Sequence, residues 1–443
     1  MNTSSTLLSK SIGLRQMFYL VLPNEANFEY YKQVPEYINA ALPYFTGMIL
    51  VEYIMCIFLN VRRLRISDGI SSASAGLMQQ IPKLVIKSLA FPIYLWVNEN
   101  YKLYSFEWDS PFTWYMSFLL LDFGYYVFHR LAHEVHVVWG AHQVHHSSED
   151  YNLTTALRQS MFQHCFSECL YIPLGMIIPP SHYMIHVQLN TLYQFWIHTE
   201  CIDTLGPLEY ILNTPSHHRV HHGRNIYCID KNYAGVLIIF DKMFGTFEAE
   251  RKAEPVVYGL VTPLASWNPF WTQICVYVHM FKRMYNIKGV KNKLSVLLMG
   301  PGWTEGSPRL GDPSKLPDIR APQPRYDRNI SNAVSVYGLI HFVLIIAMFD
   351  FFIRKQQYLS ALSLSVGILL ILFSLLCFGF IFDDKEDAIS FEITRLVTVF
   401  IGTFIGERFD ALDPNTALII RFVIIVSIGF WVSNHFNKKK KVE

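Results

Sequence analysis

At 443 residues, with 51% hydrophobic, 15% aromatic and only 16% charged side chains, the chain lies well below the roughly 25% charge of soluble globular proteins and leans toward a membrane. A net charge of +2 gives no grounds for a nucleic-acid or other polyanionic partner. Seven scattered cysteines with no CxxC pair fit reduced bystander thiols, not a disulfide framework or a thiolate zinc site.

In chain order, the N-terminal stretch lacks the apolar core and cleavage site of a signal peptide, so targeting is expected to use an internal span. A membrane helix needs ~20 apolar residues. Candidate spans are 41–59, 84–98, 112–128, 161–178, 183–198, 335–353, 359–381, 389–405 and 416–433. Pro92 interrupts the second, and the fifth is polar on one face, so both are expected to be re-entrant or partly immersed. Residues 199–334 form the longest polar stretch, broken by Gly300-Pro301-Gly302 and by prolines between 313 and 324. The expected fold is all-α, a polytopic membrane helical bundle. Its expected regions are an N-terminal membrane part (1–110), a histidine-rich catalytic core (111–260), a connecting segment (261–334) and a four-span part (335–443).

Arg62, Arg63, Arg65 and Lys83 place the first loop in the cytosol by the positive-inside rule. Counting spans from there puts every histidine cluster and the C-terminus on the cytosolic side. Lys440 and Lys441 then resemble a dilysine retrieval signal of the endoplasmic reticulum. Arg354 and Lys355, which would be lumenal, run against this orientation. Sequons at Asn2, Asn152 and Asn329 are expected to stay unused.

The chemistry is in the histidines. Seventeen are present, and most crowd into three strings. These are His129-Arg-Leu-Ala-His133, His142-Gln-Val-His145-His146 and His217-His218-Arg-Val-His221-His222. Helical residues three or four apart share a face, which groups His129 with His133, His142 with His145 and His146, and His218 with His221 and His222. His198 stands between the second and third strings as a ninth candidate ligand. His217 points away from the His218 face and has the weaker claim. The remaining histidines read as interfacial or structural.

Imidazole suits zinc, copper, iron and nickel alike. Eight or nine of them exceed one closed site and suit two ions with open positions; two iron ions held in that way can bind and reduce molecular oxygen. A two-zinc hydrolase is the rival, but bridging carboxylates are sparse here. Asp122, seven residues before His129, is placed to hold an imidazole tautomer. Glu134, beside His133, is the candidate catalytic base or proton donor, with a surface carboxylate as the alternative on spacing alone. Glu52 and Arg421 are ionisable residues inside candidate spans with no partner legible in the sequence.

These boxes, with Asp122-Phe-Gly-Tyr-Tyr-Val-Phe-His129, Tyr193-Gln-Phe-Trp-Ile-His198 and the run from Asn213 to Asn225, resemble the fatty acid hydroxylase superfamily of membrane di-iron oxygenases. The flanking strings resemble its ether-lipid-cleaving members most closely. The resemblance implies that His129, His133, His142, His145, His146, His218, His221 and His222 bind iron, and that Glu134 matches the acidic residue after the first box. It implies oxygen as co-substrate, tetrahydrobiopterin drawn from the cytosol, and an alkylglycerol or lyso-alkyl phospholipid drawn from the bilayer. Hydroxylation beside the ether oxygen would release a fatty aldehyde. A sterol or acyl hydroxylase or desaturase of the same superfamily is the alternative, and a metal transporter is a more remote one. Tyr125, Tyr126, Phe128, Tyr193, Phe195 and Trp196 are candidates to line a lipid slot, and the loop Tyr227–Tyr233 to close the site. No glycine string supports nicotinamide binding.

Overall fold

The computed structural model describes residues 13–59, 64–85, 90–409 and 412–439. The sequon at Asn2, the loop arginines Arg62 and Arg63, and the Lys440-Lys441 pair lie outside the described residues. Among the described residues there is no strand, only isolated bridges such as Leu212 with Leu237 and Gly223 with Tyr258. The all-helical expectation holds.

The chain divides into two compact units, residues 1–264 with 272–326, and residues 265–271 with 327–443. The first unit begins with α1 (Tyr37–Phe58), α2 (Ile66–Val85), α3 (Ala90–Asn100) and α4 (Pro111–Glu134). Next come α5 (His136–His146), α6 (Leu153–Leu157), α7 (Gln163–Tyr171), α8 (Pro180–Trp196), α9 (Pro215–His221) and α10 (Ile239–Phe244). Then α11 (Pro269–Asn286) and α12 (Val290–Leu298) follow. The second unit holds α13 (Asn332–Lys355), α14 (Ala361–Phe382), α15 (Ala388–Arg408) and α16 (Pro414–Lys439).

Among the described residues, five helices are long and apolar enough to cross a bilayer: Tyr31–Phe58, Asn332–Lys355, Ala361–Phe382, Ala388–Arg408 and Pro414–Asn434. The other four expected spans take different forms. In place of 161–178 stand the nine residues of α7 and a 3₁₀ turn, and at 1.5 Å per residue α7 reaches only ~14 Å of a ~30 Å hydrocarbon core. The expected span 84–98 falls in part on residues 86–89, which lie outside the described residues, and its remainder lies in the 11-residue α3. The third, α4, is long enough but carries Asp122, His129, Arg130, His133 and Glu134. The fourth, α8, is buried along most of its length, with His182, His186, Gln188 and Asn190 inside the protein. Hydropathy reads an apolar helix the same way whether protein or lipid surrounds it, which is why these four read as spans.

Local sequence fixes the elements that carry the histidines. Pro111 at the first turn starts α4, where a proline costs no hydrogen bond. Extended Val135 ends α4 and starts α5 at once, so the first two boxes meet at a sharp corner. Asn152, a sequon residue, is buried and caps α6 by accepting from Thr154 N at 2.9 Å. Pro215 opens the seven-residue α9. Glu52, inside the α1 span, does have partners: its carboxylate accepts from Leu153 N at 2.8 Å and from the Thr199 hydroxyl. In the second unit Arg421 pairs with Glu407 and donates to Thr403 Oγ1 at 2.8 Å.

Candidate metal centre

Nine buried histidines converge on one place in two groups. His129, His133, His142, His146 and His221 form one, and His145, His198, His218 and His222 the other, with the ring nitrogens of each group within 4.8 Å of one another. The grouping cuts across the boxes. Each i,i+4 pair (His129 and His133, His142 and His146, His218 and His222) stays together, and the odd residue of the second and third boxes, His145 or His221, crosses to the other group. The two groups adjoin: the His146 and His222 rings stack at 4.4 Å between centroids.

The ring protons are placed by carbonyl oxygens, which only accept. His129 Nδ1 lies 2.8 Å from Tyr233 O, His221 Nδ1 2.8 Å from Lys231 O, His145 Nδ1 3.2 Å from Arg158 O, and His198 Nδ1 2.6 Å from Gln194 O. Each of those Nδ1 atoms therefore carries the proton and leaves Nε2 a bare lone pair. Yet His145 Nε2 faces His198 Nε2 at 3.1 Å, so two lone pairs point at each other. His129 Nε2 and His142 Nε2 stand 2.9 Å apart, and His198 Nε2 and His218 Nε2 3.0 Å. Imidazole nitrogens bind a transition ion at about 2.1 Å, which puts neighbouring ligands of one ion about 3 Å apart. The Nε2 atoms of His133, His221 and His222 are buried and have no hydrogen-bond partner among the described residues. Donors that are deprotonated, buried and converging in this way fit metal ions, and neither group contains a carboxylate or thiolate.

The strap from Asp230 to Leu237 orients the five-histidine group. Asp230 and Asn232 adopt left-handed backbone angles, φ 56° each, which turns the carbonyls of Lys231 and Tyr233 onto His221 and His129. Asn232 anchors the strap by donating to His217 O at 3.0 Å and Glu248 O at 2.7 Å. Asp230 itself faces His133 Nδ1 at 3.5 Å. Asp122 does not touch an imidazole, contrary to expectation. It accepts from Val236 N, Leu237 N and Asn190 Nδ2, each at 2.9 Å, and so pins the far end of the strap. A Cβ on Gly235 would come within 2.7 Å of this carboxylate, so only glycine permits the approach.

Glu134 stands outside both histidine groups. Burial pushes its carboxyl up, but the Arg130 and Arg309 guanidinium groups, each at 2.7 Å, bring it net below the ordinary range. His198 joins the four-histidine group and His217 neither group; the His217 ring packs against Phe247. Of the six aromatics expected to line a slot, Tyr125 packs on His129. The others have different neighbours: Tyr126 stacks on Phe244, Tyr193 donates to Asn213 O, Phe195 meets Phe45, Trp196 meets Phe18, and Phe128 is buried. Sequence reasoning missed Trp139, which packs on His133 and His146, and Tyr151, which packs on His198 and His222. Trp139 was findable, since it lies three residues before His142 and seven before His146 on α5. The tyrosine-rich loop does close over the site, through the backbone of Lys231 and the ring of Tyr233, 5.2 Å from His133.

Burial, and then the neighbouring imidazoles, hold His142, His146, His218, His221 and His222 well below the usual histidine range. Burial brings His145, His136 and His217 to about 4. An unfolded histidine titrates near 6.5, so between about 6.5 and 4 the unfolded chain binds the extra protons. Stability is therefore kept above that window and lost as the pH falls through it, at roughly 1 kcal/mol per histidine per unit. The melting temperature of the metal-stripped protein is expected to drop steadily from about pH 7 to pH 5. A flat profile over that range would contradict neutral burial.

Two family models match. A fatty acid hydroxylase model covers residues 114–246, which contain all nine histidines, and a model of the alkylglycerol monooxygenase C-terminal domain covers 334–428. The chain is 47% identical to an alkylglycerol monooxygenase of Xenopus tropicalis over 100% of this chain and 99% of the relative. It is 43% identical to that of Homo sapiens over 96% and 95% of the two chains, and 42% identical to that of Danio rerio over 97% of each. No solved structure matches.

Proposed function

The chain belongs to the alkylglycerol monooxygenases, and from that premise we infer that its nine histidines hold two iron ions for cleavage of an ether lipid. It is a multi-pass membrane monooxygenase acting on ether lipids. The observation that carries the iron reading is the convergence of nine buried imidazoles in groups of five and four. The five histidines of one group and the four of the other would each hold one ion. Iron bound there would activate oxygen for insertion into a C–H bond.

The chain's own part is to hold and enclose. The strap fixes the rings of His129 and His221, while Arg158 O and Gln194 O fix His145 and His198. Tyr233, Trp139, Tyr151 and Tyr125 wall the histidines with aromatic surface and keep bulk water from them. Glu134, clamped by two arginines, stays ionised as a fixed negative charge beside the first box. A catalytic part for it would run through Arg130 or through a bound cofactor. Oxidation of the carbon next to the ether oxygen gives a hemiacetal, which collapses to a fatty aldehyde and a glycerol derivative. One atom of the oxygen molecule enters that carbon, and tetrahydrobiopterin would supply the two electrons that reduce the other.

Localisation follows the same reasoning. The four expected spans that are not among the five membrane-crossing helices of the described residues fall into two consecutive pairs (84–98 with 112–128, and 161–178 with 183–198). Removing them leaves the parity of the crossings unchanged. The histidines then face the cytosol together with the charged first loop, and Lys440 and Lys441 mark retention in the endoplasmic reticulum. The test is aldehyde release from a 1-O-alkylglycerol by membranes containing the chain, with tetrahydrobiopterin added or withheld. Pterin-dependent aldehyde is the expected result. Hydroxylation of a sterol or acyl chain without pterin would move the protein to the sister activity.

A further inference from the structure

Two short segments next to the metal centre carry large apolar side chains on the outside. The turn 206–211 exposes Leu208, Tyr210 and Ile211, and α10 exposes Ile239, Met243 and Phe244; Tyr210 is 75% and Met243 68% accessible. The fold joins them: Leu212 bridges Leu237, Ile238 N donates to Ile211 O at 3.0 Å, and Lys242 Nζ donates to Tyr210 O at 2.9 Å. Exposed apolar side chains gathered from two separate segments into one patch mark an interaction surface.

The surroundings point to the occupant. Leu205 and Leu212, which bracket the turn, pack on the same apolar cluster as Met48 of the Tyr31–Phe58 span. A second apolar strip runs along α4 through exposed Phe112, Tyr115 and Leu119. It continues into Phe123, whose ring lies 5.3 Å from Phe240 and 5.9 Å from Phe244, so the surface is continuous up to the patch. The charges suit lipid as well. Glu209 turns inward, accepting from Leu205 N, Thr214 and Ser216, and Asp241 accepts from Tyr233 N and Ala234 N. The exposed cation on α10 is Lys242, whose ammonium lies 5.4 Å from the centre of the Tyr210 ring and 4.9 Å from that of Phe247. A lysine whose ammonium is held among aromatic rings beside exposed apolar side chains suits the headgroup side of a membrane interface.

We propose that this patch is seated in the boundary between headgroups and acyl chains of the protein's own membrane, as a contact additional to the spans. Four residues past Ile211, α9 begins and brings His218, His221 and His222, and Asp241 of α10 holds the strap that orients His129 and His221. The patch therefore fixes the depth of the metal centre relative to the lipid from which its substrate comes. The proposal rests on the membrane placement of the chain and not on the identity of the metal.

The experiment uses the full chain in lipid nanodiscs. Met243→Trp and Tyr210→Trp are made separately, and the fluorescence of the parent's nine tryptophans is subtracted. The added emission is expected to be blue-shifted and quenched by phosphatidylcholine brominated high on its acyl chains, with little quenching by aqueous iodide. Quenching by iodide and not by brominated lipid would overturn the proposal. Insensitivity to both, with cross-linked dimers, would overturn it in favour of a second copy of this chain. As a second readout, Ile211→Asp/Met243→Asp is expected to raise KM for a long-chain alkylglycerol in the bilayer by about fivefold or more, close to 1 kcal/mol, with kcat within about twofold. An unchanged KM would contradict the proposal even if the iron and pterin reading holds.

Discussion

Replacing His145 by alanine is expected to abolish aldehyde formation, beyond about 100-fold, and to empty the four-histidine group of its ion. His145 contributes one of four nitrogens, with Nε2 3.1 Å from that of His198 and its ring 4.5 Å from that of His222. Loss of a group that merely orients a ligand already costs 10–100-fold, and loss of the ligand itself costs more. Metal analysis of the purified variant would give about half the parent's content, because the five-histidine group is oriented by a different element, the Asp230–Leu237 strap. His217→Ala is the matched control. It is equally buried and one residue from a ligand, but its ring belongs to neither group and its carbonyl, the part that anchors Asn232, is kept. That variant should keep metal and turnover within about twofold. Equal damage from the two substitutions would contradict the assignment.

The second large effect is expected at a buried ion pair whose charged groups belong to neither histidine group. Arg158 and Asp68 form a fully buried pair at 3.0 Å, with the guanidinium also held by Ser72 and Ser147. Burial pushes Asp68 up and Arg158 down from their ordinary ranges, so desolvation opposes both charges and each depends on the other. Removing one member, as in Asp68→Ala, leaves an unpaired buried charge and is expected to cost roughly 3–5 kcal/mol, or about 10 °C in melting temperature. Replacing both, as in Asp68→Asn/Arg158→Met, should recover a large part of that loss. Because Arg158 O is the acceptor for His145 Nδ1, Asp68→Ala should also lower the metal content. A double variant no more stable than the single would contradict this account of the pair.

The site was legible to the extent that one helix wrote it. His129 with His133 and His218 with His222 share a face by spacing alone, and both pairs stay together in the fold. His198, at the end of α8, was legible as a histidine closing a helix whose other positions are polar. The crossing of His145 and His221 was not, because it depends on how α5 and α9 approach each other. The orienting carbonyls of Lys231, Tyr233, Arg158 and Gln194 were invisible for a different reason: every residue has a carbonyl, so no side chain announces them. Asp122 shows the converse error. Seven-residue spacing did put it on the face of His129, but two backbone amides of the strap claim its carboxylate first. The helix count failed at α4, α7 and α8, where the helix carries ionisable side chains, stops short of a bilayer's thickness or is buried against protein.

Iron content per chain of the purified, full-length protein tests the central claim most directly. Two iron ions per chain, falling to about one in His145→Ala and unchanged in His217→Ala, is the predicted result. One iron per chain, or zinc in its place in protein that releases fatty aldehyde, would contradict a two-iron centre built from these nine histidines.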